Sequence, residues 1–102
     1  MELEFHPEAE AEFIESAARY EGEVPGLGHR FGRTVREALE LLLANPEIGS
    51  PLNDELRSFI IGSFPYSIIY APHGNLLFVL AVAHGSRKPG YWKSRRSRPA
   101  NR

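Results

Sequence analysis

The spacing of apolar residues along the chain switches twice, and each switch marks a change of element. Residues 2–6 alternate, with Leu3 and Phe5 on one side and Glu2, Glu4 and His6 on the other, as in a short half-buried strand. Pro7 ends it and suits the first turn of a helix, where its missing N–H has no partner to lose. Glu8 and Glu10 follow, placing negative charge at the positive end of the helix dipole. Ala9, Phe13, Ala17, Tyr20 and Val24 recur at spacings of three or four, while Glu10, Glu12, Glu15 and Glu21 fall mostly off that stripe. The spacing predicts an amphipathic helix with an acidic, solvated outer face, broken by Gly22 and by Pro25-Gly26. A second stripe, Leu27, Phe31, Val35, Leu39 and Leu42 with Ala38 and Leu43, predicts another helix. It ends before Asn45-Pro46, because a residue preceding proline disfavours the helical region. Gly28 and Gly32, four apart, permit close packing of this helix. So short a link makes the two helices an antiparallel hairpin.

The second half returns to strand spacing. Residues 47–53, with Gly49 and Pro51, read as a loop, and residues 56–61 as a short strand followed by a turn at Gly62-Ser63 and Phe64-Pro65. Residues 66–71 form a strand with Tyr66, Ile68 and Tyr70 on one face and Ser67 and Ile69 on the other. Pro72-His73-Gly74-Asn75 is a four-residue turn. Residues 76–83 are apolar throughout, which predicts a central strand covered on both faces. Pro89 opens a last helical turn carrying Tyr91 and Trp92, and a basic tail follows. The expected fold class is α+β. An N-terminal strand and an antiparallel helical hairpin pack on a mostly antiparallel sheet, completed by three C-terminal strands and a short C-terminal helical turn. Residues 1–95 make one domain and residues 96–102 its tail.

Composition narrows the function. A chain of 102 residues with 42% hydrophobic content has one core and no room for a doubly wound dinucleotide-binding fold. It contains no cysteine, which removes disulfides, thiolate zinc sites and Cys nucleophiles together. The opening MELEFHPEAE lacks the basic and apolar segments of a secretory signal. The apolar run 76–83 is far short of the about 20 residues of a membrane helix. A soluble, cytoplasmic protein without a membrane partner is the expectation. The formal net charge of −1 conceals an asymmetry. Residues 1–83 carry five basic residues against all 13 acids, a balance of −8, whereas residues 84–102 carry seven basic residues and no acid. Such a segment points to a basic interaction surface.

Enzyme signatures are sparse. Gly26-Leu27-Gly28 lacks the rest of a phosphate-binding loop, and no serine lies in a nucleophile elbow. His6, His29, His73 and His84 show no metal-ligand spacing, so neither a metal nor a cofactor is expected. The informative stretch is His84, Arg87, Lys88, Tyr91, Trp92, Lys93, Arg95 and Arg96. Arginines there suit bidentate phosphate contacts, and aromatic faces suit stacking on bases. Tyr91 and Trp92 serve equally to seal the open end of the sheet. His84 is the side chain able to shuttle protons near neutral pH, or else a hydrogen-bonded residue at the sheet edge. Arg57 either pairs with Asp54 or Glu55 or widens the basic surface across the sheet. The candidate catalytic residues are therefore His84, Arg87 and Tyr91. The candidate target- or nucleic-acid-binding residues are Arg57, Arg87, Lys88, Trp92, Lys93, Arg95 and Arg96.

Taken in order, Phe5-His6-Pro7-Glu8-Ala9, Pro25-Gly26-Leu27-Gly28 with Arg30-Phe31, Phe64-Pro65-Tyr66-Ser67-Ile68-Ile69-Tyr70, Ala81-Val82-Ala83-His84 and Arg87-Lys88-Pro89-Gly90-Tyr91-Trp92 form a recognisable set. The set resembles the RelE/ParE superfamily of toxins from bacterial type II toxin–antitoxin modules, in particular its ParE-like, plasmid-stabilisation branch. The resemblance covers residues 2–95. It implies a growth-inhibiting toxin silenced by a cognate antitoxin in a hetero-oligomer. RelE-like members cleave mRNA in the ribosome, whereas ParE-like members poison DNA gyrase. RelE-like nucleases carry basic residues at positions that here are Ser58, Ile60, Ser67 and Gly85, and only the late tyrosine, Tyr91, matches. The expectation is a gyrase-binding toxin. The alternatives are a ribosome-dependent endoribonuclease using His84, Arg87 and Tyr91, and an inactive nucleic-acid- or protein-binding module of the same fold.

Overall fold

The computed structural model describes residues 1–95. Strand β1 (Glu2–Phe5) leads into helix α1 (Pro7–Glu23), and helix α2 (Leu27–Ala44) follows after a short link. Four strands complete the sheet: β2 (Ser50–Pro51), β3 (Arg57–Ile60), β4 (Tyr66–His73) and β5 (Leu76–His84). A single 3-10 turn, Tyr91–Ser94, closes the described part. The five strands lie in the order β1-β5-β4-β3-β2. β1 runs parallel to β5, with Phe5 opposite Val79, and every other pairing is antiparallel. Among the described residues, no helix is long and apolar enough to cross a membrane.

The helical hairpin forms as its spacing requires, with two local differences. His6 caps α1 by accepting the Glu8 N–H at 3.1 Å, and Pro7 opens the helix. The helix runs through Gly22, and Val24 is its extended, 51%-exposed cap rather than the last member of the buried stripe. Ser16 takes a buried place in that stripe instead. At the start of α2, Gly26 adopts φ 89° and supplies no side-chain cap. The Glu21 carboxylate does so from α1, accepting the N–H groups of Gly26 at 2.8 Å, Gly28 at 2.9 Å and His29 at 3.3 Å. These bonds hold its carboxyl below the usual Glu range. The two glycines of α2 differ in role. A Cβ on Gly28 would run into the Ala17 carbonyl oxygen and lie 2.8 Å from the Glu21 Cβ. On Gly32 it would meet only the flexible Arg36 guanidinium, 3.3 Å away.

The core lies between the hairpin and one face of the sheet. Phe31, Val35, Leu39 and Leu42 of α2 meet Tyr66, Ile68 and Tyr70 of β4 and Leu77, Val79 and Val82 of β5. The alternation read along β4 therefore holds, with Ile69 on the opposite face. β5 is buried on both faces, under the helices on one side and under Tyr91 and Trp92 on the other, and a register shift beside Ile69 and Tyr70 leaves Leu80 without a partner on β4. The helix-facing positions consequently jump from Val79 to Val82. Two loop readings change. β4 continues to His73, so the turn is the pair Gly74-Asn75 rather than four residues. Pro72 fits within β4 because β3 reaches only Tyr70, leaving an edge on which proline is tolerated. The segment read as a loop contains the two-residue strand β2. Its neighbourhood is pinned by the buried Tyr70 hydroxyl, which donates to the Pro46 carbonyl at 2.7 Å and accepts the Gly49 N–H at 3.0 Å.

Gly28→Ala should destabilise the fold by about 1–3 kcal/mol, the usual cost of overpacking, whereas Gly32→Ala should be neutral or stabilising by about 0.5–1 kcal/mol. Urea denaturation of both variants checks the contrast, and equal effects would refute the assigned helix crossing.

Candidate functional site

The C-terminal basic segment is built on the end of β5. Gly85 N–H bonds the Pro65 carbonyl at 2.7 Å, turning the chain beside the start of β4. The Ser86 N–H donates to His84 Nδ1 at 2.9 Å, so the neutral imidazole carries its proton on Nε2. The ring stands edge-on to Tyr66, with centroids 5.0 Å apart. Beyond it, Gly90 takes φ 80° and the turn Tyr91–Ser94 lays two mutually perpendicular aromatics down. Tyr91 and Trp92 pack with Leu56 and Leu76 against Ile69, Phe78, Leu80, Ala81 and Ala83, on the sheet face opposite the helices. The sealing role read for these aromatics is thus realised.

A carboxylate on α1 holds this segment in place. Glu12, only 14% exposed at its side chain, accepts hydrogen bonds from Tyr91 Oη at 2.8 Å and from Arg95 Nη2 at 2.7 Å and Nη1 at 3.1 Å. Its Oε1 also accepts the Val82 N–H at 2.9 Å. Arg95 donates in turn to the Leu80 carbonyl at 2.9 Å and pairs with Glu8 at 3.1 Å. Burial pushes the Glu12 carboxyl upward, but the bonds from Arg95, Val82 and Tyr91 outweigh it and hold the group below the usual range. Burial, reinforced by the neighbouring carboxylate, pushes the Tyr91 hydroxyl well above the usual tyrosine range. Tyr91 is therefore a fixed hydrogen-bond donor that gives up its proton only reluctantly. Its ring is flanked by the guanidiniums of Arg87, 3.7 Å from the centroid, and Arg95, at 5.1 Å.

The candidate residues consequently separate. Lys88 and Lys93 are exposed and Arg87 keeps half its side chain in solvent, so these three form the outward cationic surface beside the half-buried Trp92. Arg95 lies inward, its side chain 8% exposed and committed to Glu8 and Glu12. Arg57 stands apart from this surface. It pairs with neither Asp54 nor Glu55, but donates to the carbonyls of Glu47 at 2.9 Å and Gly49 at 2.7 Å, bracing the loop before β2. Arg96 lies outside the described residues. His84 and Arg87 stand together between two shallow cavities. One, of about 150 Å3, is lined by Ser58, Ser67 and Gly85, with Arg87 its only Lys or Arg among the described residues. The other, of about 190 Å3, lies on the helix side and adds Ser16, Arg19 and Tyr66. The Tyr66 hydroxyl there donates to Ser16 Oγ at 2.8 Å and accepts from Arg19 at 3.2 Å.

Glu12, Ser16 and Arg19 were not legible as site residues. The one available signal was spacing: Glu12 lies three after Ala9 and four before Ser16, on the flank of the buried stripe rather than opposite it.

With this geometry in hand, similarity to known proteins assigns the class. Residues 3–89 match the family described as the ParE toxin of type II toxin-antitoxin system, parDE. The chain belongs to that family. A solved structure from P. aeruginosa, described as a chromosomal ParDE TA system, superposes with a TM-score of 0.70 at 18% identity. The alignment covers 82% of this chain and 95% of that one, and shows the shared fold. No curated protein matches the chain.

Glu12→Gln should cost about 2–4 kcal/mol, since it strands the buried Arg95 charge. A carboxyl depressed in the folded state contributes stability in full above its ordinary value, 4.5, and loses it as pH falls through the lower folded value. Wild-type stability should therefore drop below about pH 4.5, and Glu12→Gln should flatten this part of the pH dependence. Denaturation midpoints measured between pH 2.5 and 7 check it; parallel curves would refute the role given to Glu12.

Proposed function

We propose that this chain is the toxin of a type II toxin–antitoxin pair, that it arrests growth by binding DNA gyrase, and that a cognate antitoxin neutralises it in a hetero-oligomer. Membership of the ParE toxin family supports the toxin role. The observation that favours binding over cleavage is the cavity beside Trp92. The positions at which the resemblance to RelE-like nucleases calls for basic groups converge there as Ser58, Ser67 and Gly85. Stabilising the charge that develops during phosphodiester cleavage needs donors aimed at the reacting phosphate, and these side chains supply no cation. The Tyr91 hydroxyl is tied to Glu12 and unsuited to proton transfer. What remains outward is a non-catalytic surface of Arg87, Lys88 and Lys93 around Trp92, of the kind that anchors a macromolecular partner.

A ribosome-dependent endoribonuclease is the second reading. Its support is the placement of His84 and Arg87 at the same cavities, with His84 Nδ1 held by Ser86 so that Nε2 carries the proton. The two readings predict opposite results for one variant. His84→Ala should retain growth inhibition if the toxin acts by binding, and should lower mRNA cleavage by roughly 10²–10⁴-fold if His84 is a general acid or base.

Purified toxin should inhibit supercoiling by gyrase, and Lys88→Glu with Lys93→Glu should weaken that inhibition by about tenfold. Unchanged supercoiling at doses that arrest cells would reject gyrase as the target. Antitoxin binding to the basic C-terminal segment should weaken as salt rises, since exposed charges are screened over about 8–10 Å at physiological ionic strength. Titrations across salt concentrations test that component.

A further inference from the structure

Three arginines and a histidine meet around the end of the sheet at which β4 begins and β5 ends. Arg19 of α1 donates to the Tyr66 hydroxyl at 3.2 Å. Arg30 of α2 lies 5.6 Å over the Phe64 ring. His84 packs edge-on against Tyr66, and Arg87 shares the helix-side cavity of about 190 Å3 with Arg19 and His84, beside the carboxylates of Glu12 and Glu15. Arg33 continues the series along α2, one turn beyond Arg30 and about 4.5 Å further along the axis. All the arginines in this belt are exposed. Among the described residues, ion pairs are confined to Arg87 and Arg95 with Glu8 and Glu12, so Arg19, Arg30 and Arg33 carry no carboxylate partner.

Stability does not explain this arrangement. On α2 the basic residues Arg30, Arg33 and Arg36 all precede the acids Glu37 and Glu40, with no acid in the first turn and no base in the last. That order opposes the helix dipole, which favours acids near the N-terminus and bases near the C-terminus. The dipole is met instead by Glu21, leaving the arginines free. The aromatics behind the belt, Phe64 and Tyr66, are buried, so it presents charge without an apolar anchor. A protein partner needs a desolvated apolar centre for most of its affinity. A phosphate backbone needs only spaced guanidiniums, each able to make bidentate contacts.

We propose that this belt, Arg19, Arg30, Arg33 and Arg87 with His84, is a sequence-independent binding surface for the phosphodiester backbone of a nucleic acid, which lies across the exposed guanidiniums. The surface shares Arg87 with the outward patch around Trp92 but extends from it across the helices, and it requires no particular target for the toxin. The acidic outer face of α1 repels the same ligand and orients the molecule on it.

Fluorescence anisotropy of the purified chain with a labelled DNA duplex of about 20 base pairs, without gyrase or antitoxin, tests the proposal. With three or four phosphates neutralised, affinity should fall by about 40- to 150-fold between 50 and 200 mM salt, and by about 20- to 50-fold for single-stranded RNA of the same length. The tighter of the two arms identifies the natural source of the backbone. Arg19→Gln and Arg33→Gln should each weaken binding several-fold and reduce the salt slope by about one. Glu15→Gln, removing an exposed carboxylate from the cavity rim, should tighten binding, which guards against variants that merely fail to fold. Undetectable binding at 50 mM salt, a salt-independent affinity, or variants that bind like wild type would overturn it. So would variants that lose affinity for an acidic polyglutamate peptide while keeping that for both nucleic acids.

Discussion

Pairing with β1 ends where Phe5 meets Val79, but β5 continues to His84, and among the described residues its edge beyond that point has no neighbouring strand. A buried N–H or C=O left without a partner costs about 1–3 kcal/mol. Glu12 and Arg95 satisfy that edge in place of a strand: the carboxylate accepts from Val82 N–H and the guanidinium donates to the Leu80 carbonyl. Because the two side chains are also bonded to each other, α1, β5 and the C-terminal turn are held by one network. The bulge at Leu80 belongs to the same solution, since it brings Val82 round to the helix side.

This constraint sorts the basic residues by role. Arg95 belongs to the fold, its guanidinium committed to Glu8, Glu12 and the Leu80 carbonyl. Arg57 likewise braces a loop through backbone carbonyls. Arg87, Lys88 and Lys93 remain outward around Trp92, while Arg19, Arg30 and Arg33 join His84 and Arg87 around the end of the sheet. Arg87 is the residue common to both surfaces. The chain's near-neutral total charge thus resolves into an acidic helix face and two cationic regions, an arrangement suited to oriented docking.

Much of the fold could be read from spacing. The stripe Phe31, Val35, Leu39 and Leu42, and the alternation of Tyr66, Ile68 and Tyr70, report burial against a single neighbouring layer, and such burial leaves a regular mark. The misreadings share a cause. Val24 matched the stripe but fell on the cap, and Pro72 looked like a turn because the limited reach of β3 could not be foreseen. The small strand β2 has only two residues, too few for any period. Among the site residues, Trp92 and Tyr91 were legible as large aromatics after a buried strand. Glu12 was not, because a carboxylate on a helix flank looks alike whether it meets water or a guanidinium 83 residues later.

Sequence alone determined the order of the elements, the faces they bury, the absence of cysteine chemistry and the concentration of positive charge after His84. Those properties depend on local periodicity and residue type, which are written along the chain. Tertiary structure alone decided that Arg95 faces inward, that Glu21 caps α2 from α1, and that Arg19, Arg30, His84 and Arg87 meet around Tyr66 and Phe64. The physical reason is that a charge acquires its function from the charges and carbonyls within a few ångströms. For these residues, those neighbours come from other elements that only folding brings together.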